Sequence, residues 1–153
     1  MWVFDIDPVR KPRMTQRDKW SPSKAASNYY RYSDELRLLA NAAGFTLGKQ
    51  VEVMFLVPMP ESWSAKKKQQ LDGTSHEQMP DDDNYLKAFC DALKENDCDI
   101  WNMHAVKFWV KSGQGKVVVV ENRFTSGNIS DYLRDRAGES VTNLFKTIDV
   151  SQK

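Results

Sequence analysis

The chain has 153 residues, 41% of them hydrophobic, with seven Phe and five Trp; that is enough apolar volume for the core of one domain. It contains no run of 18 apolar residues, which excludes a membrane-spanning helix, and its opening Met-Trp-Val-Phe-Asp-Ile-Asp carries acids where a secretory leader carries basic and then apolar residues. A net charge of +1 argues for no partner by itself, but the charge is unevenly spread: seven Lys or Arg stand in residues 10–31 against one acid, Asp18.

The two cysteines, Cys90 and Cys98, lack the spacing of a metal-binding pair and are read as reduced thiols. A soluble, cytoplasmic protein with no membrane contact and no organic cofactor is expected.

In chain order, Trp2, Phe4 and Ile6 alternate with Val3 and Asp5, which predicts a short strand over 2–6. Pro8 and Pro12 end it. Residues 8–30 read as a long basic loop with Trp20, Tyr29 and Tyr30 interleaved. Two readings stand for it: a solvated arm, or a nucleic-acid contact in which cations meet phosphates and aromatics stack or wedge. Ser33 is expected to begin a helix with Asp34 and Glu35 in its first turn, a stripe of Leu36, Leu39, Ala40 and Ala43, and Gly44 as the stop.

Residues 50–57 predict a strand that Pro58 ends, and 61–70 a short helix opened by Pro60. In that helix Lys66, Lys67 and Lys68 are either wet surface or a phosphate contact. Residues 72–80 form a loop in which His76 reads as polar surface. Ile100 to Lys111 predicts a strand, Ser112-Gly113-Gln114-Gly115 a hairpin turn, and 116–122 the partner strand. Val141, Leu144, Phe145 and Ile148 repeat at helical spacing and predict a C-terminal helix that packs on the domain or on a second subunit.

The stretch that carries chemistry is residues 80–97. Asp81, Asp82 and Asp83 stand in a row, and Leu86, Phe89, Cys90 and Leu93 then mark the apolar face of a helix over about 83–94. Asp82 or Asp83 suits the N-cap, where a carboxylate meets free backbone N–H groups and the positive end of the helix dipole. On the polar face Asp83, Lys87 and Asp91 line up four apart. Capping accounts for one or two acids; a third adds repulsion that a hard divalent cation relieves.

Asp81, Asp83 and Asp97 are therefore candidate metal ligands. Lys87 is a candidate for orienting water or neutralising a scissile phosphate. The competing account is structural: caps, solvated acids, and an ion pair of Lys87 with Asp83 or Asp91. A calcium EF-hand loop fails because Tyr85 and Leu86 stand where ligand and glycine belong. The chain also lacks a Walker-type loop, a CxxC pair and a serine nucleophile elbow.

Asp81-x-Asp83-Asn84-x-x-Lys87 followed by Asp91-Ala92-Leu93 resembles the signature of the RusA family of Holliday-junction resolvases, found in bacteria and phages. The turn Asn96-Asp97-Cys98-Asp99-Ile100 and the strand reaching Val106-Lys107 are similar to the family's acidic turn and strand. So are Lys11-Pro12-Arg13-Met14-Thr15, Asp18-Lys19-Trp20, Met59-Pro60 with Ser62-Trp63-Ser64, and Gly73-Thr74-Ser75-His76. The turn departs from the family pattern, with Asn96 in place of its first acid and Asp99 in place of its Gln.

The resemblance covers about residues 3–122 and implies an α/β (α+β) fold, a small mixed sheet packed against helices. The domain is bounded at 1–122, and 123–153, which the resemblance does not cover, is expected from its helical spacing to be an extension of it. The resemblance also implies a homodimer that cuts four-way DNA junctions with Mg²⁺ or Mn²⁺ by paired nicks. The implied catalytic residues are Asp81, Asp83, Asp97 and Lys87, the three acids holding the metal. Lys11, Arg13, Arg17, Lys19 and Lys24 of the arm, with Lys66, Lys67, Lys68 and His76, are expected to face the DNA. The alternative is a branched-DNA-binding module whose nuclease activity is weak or lost.

Overall fold

In the computed structural model, which describes residues 1–120, one four-stranded mixed sheet carries three α-helices. The strands are β1 (Trp2–Phe4), β2 (Gln50–Pro58), β3 (Asn102–Val110) and β4 (Lys116–Val120), in the order β1-β4-β2-β3. The expected mixed sheet against helices is the observed architecture. The expected C-terminal helix lies outside the described residues.

β2 is the spine of the sheet because it is apolar on alternate positions: Val51, Val53, Phe55 and Val57 are all buried. It pairs in parallel with β3, Gln50 opposite Asn102 through Pro58 opposite Val110. On its other side it runs antiparallel to β4, Glu52 opposite Val120 through Leu56 opposite Lys116. The predicted hairpin between β3 and β4 is therefore not present: β2 lies between them. Residues 111–115 instead carry the chain across the end of β2.

Gly115 makes that crossing possible. A Cβ there would lie 2.6 Å from the Leu56 carbonyl oxygen and 2.9 Å from ring carbons of Pro58 and Pro8. β4 is then a run of buried valines, Val117, Val118 and Val119, as an inner strand requires.

The first helix, α1, spans Lys24–Ala43 and starts nine residues earlier than Ser33. Its cap is Ser23, whose hydroxyl accepts from the Ala26 N–H at 3.2 Å. Ser33 is buried in mid-helix. The early turns escaped the sequence reading because their inward stripe is Ala26, Tyr29 and Tyr32, small and aromatic side chains that continue into Leu36 and Ala40. Gly44 ends the helix at φ 68°, as expected.

α2 (Ala65–Leu71) is capped by Ser64, whose hydroxyl accepts from Lys67 N–H, and not opened by Pro60. α3 (Asp82–Leu93) buries Leu86, Phe89 and Cys90 as predicted. Leu36 of α1, Phe89 of α3 and Phe55 of β2 are fully buried in one cluster. Each such side chain contributes roughly 1.5–3 kcal/mol by leaving water.

Candidate active site

The acids stand at the N-terminus of α3, on a loop that is fastened to β3. Along that loop Gly73 N–H donates to the Trp109 carbonyl, Trp109 N–H to Thr74, and His76 N–H to Lys107. Lys107 then reaches back, its Nζ donating to the carbonyl oxygens of Gln78 at 2.6 Å and Pro80 at 2.7 Å. These two charge-assisted bonds fix the residue immediately before Asp81. The sequence offered Lys107 only as part of a strand; its tethering role depends on a contact 27 residues away.

His76 corrects an expectation. It is buried, not a DNA-facing surface residue: its ring stacks on Trp109 at 3.9 Å and meets Tyr85 edge-on at 6.5 Å. Burial, with the Lys107 charge adding to it, holds its pKa below the usual histidine value. Its Nδ1 accepts from the Gln78 N–H, so it helps hold the loop in place.

Asp81 is the N-cap residue of α3, yet its carboxylate makes no capping bond. Asp82 accepts the Asp83 N–H at 3.0 Å. All three acids are exposed. Asp83, Lys87 and Asp91 share one face of the helix, as expected. Asp91, however, pairs with Lys11 at 3.0 Å, and Lys87 makes no ion pair among the described residues. The helix ion pair of Lys87 with Asp83 or Asp91 is therefore not formed among the described residues.

Asp97 is half-buried in the turn after α3. Cys90 senses it: burial first, then the Asp97 and Asp91 charges, push that thiol up to about 12. Asp97 follows Leu93, the last residue of α3, by four positions. Asp83 lies seven residues before Cys90, about 10 Å along the helix axis. Asp99 is engaged by Lys94 at 2.6 Å, which leaves Asp97 the freer of the two acids in the turn.

Among the described residues no three His, Cys, Asp or Glu side chains lie together as a metal-holding group. The donor chemistry, carboxylates not spent on capping, suits a hard cation. Asp81, Asp83 and Asp97 do not gather into such a group among the described residues.

The basic segment divides into spent and free charges. Lys11 crosses to α3: its N–H donates to the Asn84 carbonyl, and its Nζ donates to Tyr29 Oη at 3.0 Å beside the Asp91 carboxylate. Burial works against that charge, but the Tyr29 and Asp91 bonds outweigh it and hold the pKa above the ordinary lysine value. Lys11 is thus an internal clasp. Arg13, Arg17, Lys19 and Lys24 are exposed.

On α2, Lys66 and Lys67 are exposed, Lys68 is half-buried, and Lys67 lies 3.8 Å above the Trp63 ring. Ring contacts from Trp63 to Trp109, His76 and Tyr85 link that lysine run to the first turn of α3.

The family model for endodeoxyribonuclease RusA matches residues 5–121 of the chain. No curated protein and no solved structure matches it.

Proposed function

Because the chain belongs to the RusA endodeoxyribonuclease family, we propose that it is a Mg²⁺-dependent, structure-selective endonuclease that resolves four-way DNA junctions by paired nicks. The observation that carries this reading is a family match that spans Asp81-x-Asp83-Asn84-x-x-Lys87, the acidic turn and both basic stretches. The reading assigns Asp81, Asp83 and Asp97 as the acids of the cutting site and Lys87 as its cation, with Mn²⁺ able to replace Mg²⁺. It takes the working form to be a homodimer in the cytoplasm, one site per subunit.

The local chemistry supports these roles. The Asp81 carboxylate is not used for capping, and the exposed Lys87 ammonium stands one turn along from Asp83. A cation there stabilises the negative charge that builds on a scissile phosphate. Lys107 and His76 fasten the loop that leads into Asp81.

The test pairs a mobile four-way junction with a linear duplex of equal length, each with Mg²⁺ or with EDTA. Symmetric nicks are expected on the junction with Mg²⁺ alone. Asp83→Asn is expected to lose on the order of 100-fold or more in cutting while keeping junction binding; normal cutting by this variant removes Asp83 from the site. A second reading is a branched-DNA-binding module with weak or lost nuclease activity, in keeping with the fact that no three-acid group gathers among the described residues. That reading predicts a gel shift with no nicks under any metal.

A further inference from the structure

The described surface holds an open groove of about 730 Å³ lined by Arg10, Lys24, Ala25, Ser27, Asn28 and Arg31. Three of the six are cations and none is an acid. The Arg31 Nη2 donates to Asn28 Oδ1 at 2.8 Å, which aims the guanidinium. Arg10 is the residue before Lys11, whose N–H is bonded to Asn84 of α3, and the Arg10 charge is felt by Tyr85. The groove therefore starts beside the helix that carries the acids and runs along the N-terminal half of α1.

Trp20 stands just before α1 and is 85% exposed. An indole left in water at that level loses the burial energy of a large aromatic. The loop under it is built firmly. Asp18 is buried, and its carboxylate accepts from Thr15 N–H at 2.8 Å, Thr15 hydroxyl at 2.7 Å and Ser23 N–H at 2.8 Å. Trp20 and Ser21 N–H groups both donate to the Arg17 carbonyl. Lys19 lies 5.6 Å from the indole centroid, and Arg17 and Lys24 are close in sequence. Trp20 precedes Lys24 by four residues, in a loop that Asp18 ties to the Ser23 cap of α1. An exposed aromatic on such a loop, with an acid-free cationic groove along the same helix, is the pattern of a site that stacks a base and holds the adjoining phosphates.

We propose that Arg10, Lys24, Arg31 and Trp20 form a subsite for one DNA strand at an open branch point, the three cations holding phosphates and the indole stacking on an unpaired base. The proposal rests on the branched-DNA reading above and adds the residues that discriminate an open junction from a closed duplex. A linear duplex offers the cations its phosphates but offers the indole no unstacked base.

The experiment uses the full chain in EDTA, so that binding is read without cutting, and a four-way junction carrying 2-aminopurine at the branch point. Wild-type protein is expected to change the 2-aminopurine fluorescence. Trp20→Ala is expected to abolish that change and weaken junction binding roughly five- to a hundredfold, with little effect on linear duplex, and Trp20→Phe to restore most of both. The triple variant Arg10→Ala, Lys24→Ala, Arg31→Ala is expected to lower the slope of log K against log salt by about three on both DNAs.

An unchanged salt slope in a triple variant that melts normally overturns the proposal, as does a fluorescence change that survives Trp20→Ala. Nicking with Mg²⁺ is scored separately. Fluorescence change without nicking sinks the nuclease reading and leaves this subsite standing; nicking with no fluorescence response does the reverse.

Discussion

Asp18 is the acid that the basic arm is built around. It accepts three hydrogen bonds in a site where no donor of its own is wanted, and those bonds hold its pKa well below the usual carboxylate range. A carboxylate with a lowered folded pKa stabilises the fold above its unfolded pKa and loses that contribution as pH falls through the folded value. Asp18→Asn places an amide N–H₂ against donors. We expect the variant to melt lower than wild type at neutral pH, with the gap closing as the pH drops below the ordinary aspartate value of 3.8. A gap that stays constant from pH 7 to pH 3 assigns the loss to packing instead.

At the scale of elements, the informative feature is the crossing from β3 to β4. A strand sequence followed by Ser-Gly-Gln-Gly and another strand looks like a hairpin, because short-range turn signals cannot report which strand will be the neighbour. Here β2 occupies the place beside both, and 111–115 must pass over its end. Gly115 is therefore a packing requirement at a crowded point. Gly115→Ala is expected to lower the Tm by roughly 3–10 °C, the effect of forcing one methyl into filled space in a domain of this size, while Gly113→Ala, where the space around a Cβ is open, leaves it nearly unchanged. Equal melting of the two variants contradicts the crossing.

α1 and α3 show the same limit from the other side. The heart of α3 was legible because Leu86, Phe89 and Cys90 repeat at helical spacing and Asp81 to Asp83 mark the start. The first two turns of α1 were not, since Tyr29 read as an aromatic of a basic loop and is in fact buried in the helix with Ala26 and Tyr32. His76 was misread for a related reason: a polar ring in a loop is buried only if partners such as Trp109 and Tyr85 arrive from other elements.

For the whole molecule, Asp81 and Asp83 stand at the start of α3 and Asp97 in the turn that follows it, and no metal-holding group is formed among the described residues. A ligand stabilises a fold in proportion to how well it binds the folded state, about 0.4 kcal/mol when its concentration equals its Kd. Without a formed group, Mg²⁺ alone at millimolar concentration is expected to raise the Tm by no more than a few degrees, and removing it with EDTA to leave the fold standing. A large upward shift with Mg²⁺ in the absence of DNA indicates a tight, preformed centre and reverses this expectation.

The sequence by itself determined the family, and through that resemblance the mixed α+β class. It also located the cluster of acids with Lys87, because these depend on residue order, apolar period and motif spacing, all local along the chain. Only the tertiary structure decided which charges are free. Lys11 is consumed by Tyr29 and Asp91, and Asp99 by Lys94. Lys107 is turned into a tether, His76 is enclosed, and Arg10, Lys24, Arg31 and Trp20 are left facing solvent. The physical reason is that a charge or a ring has no fixed role until a partner from elsewhere in the fold either desolvates it or leaves it in water.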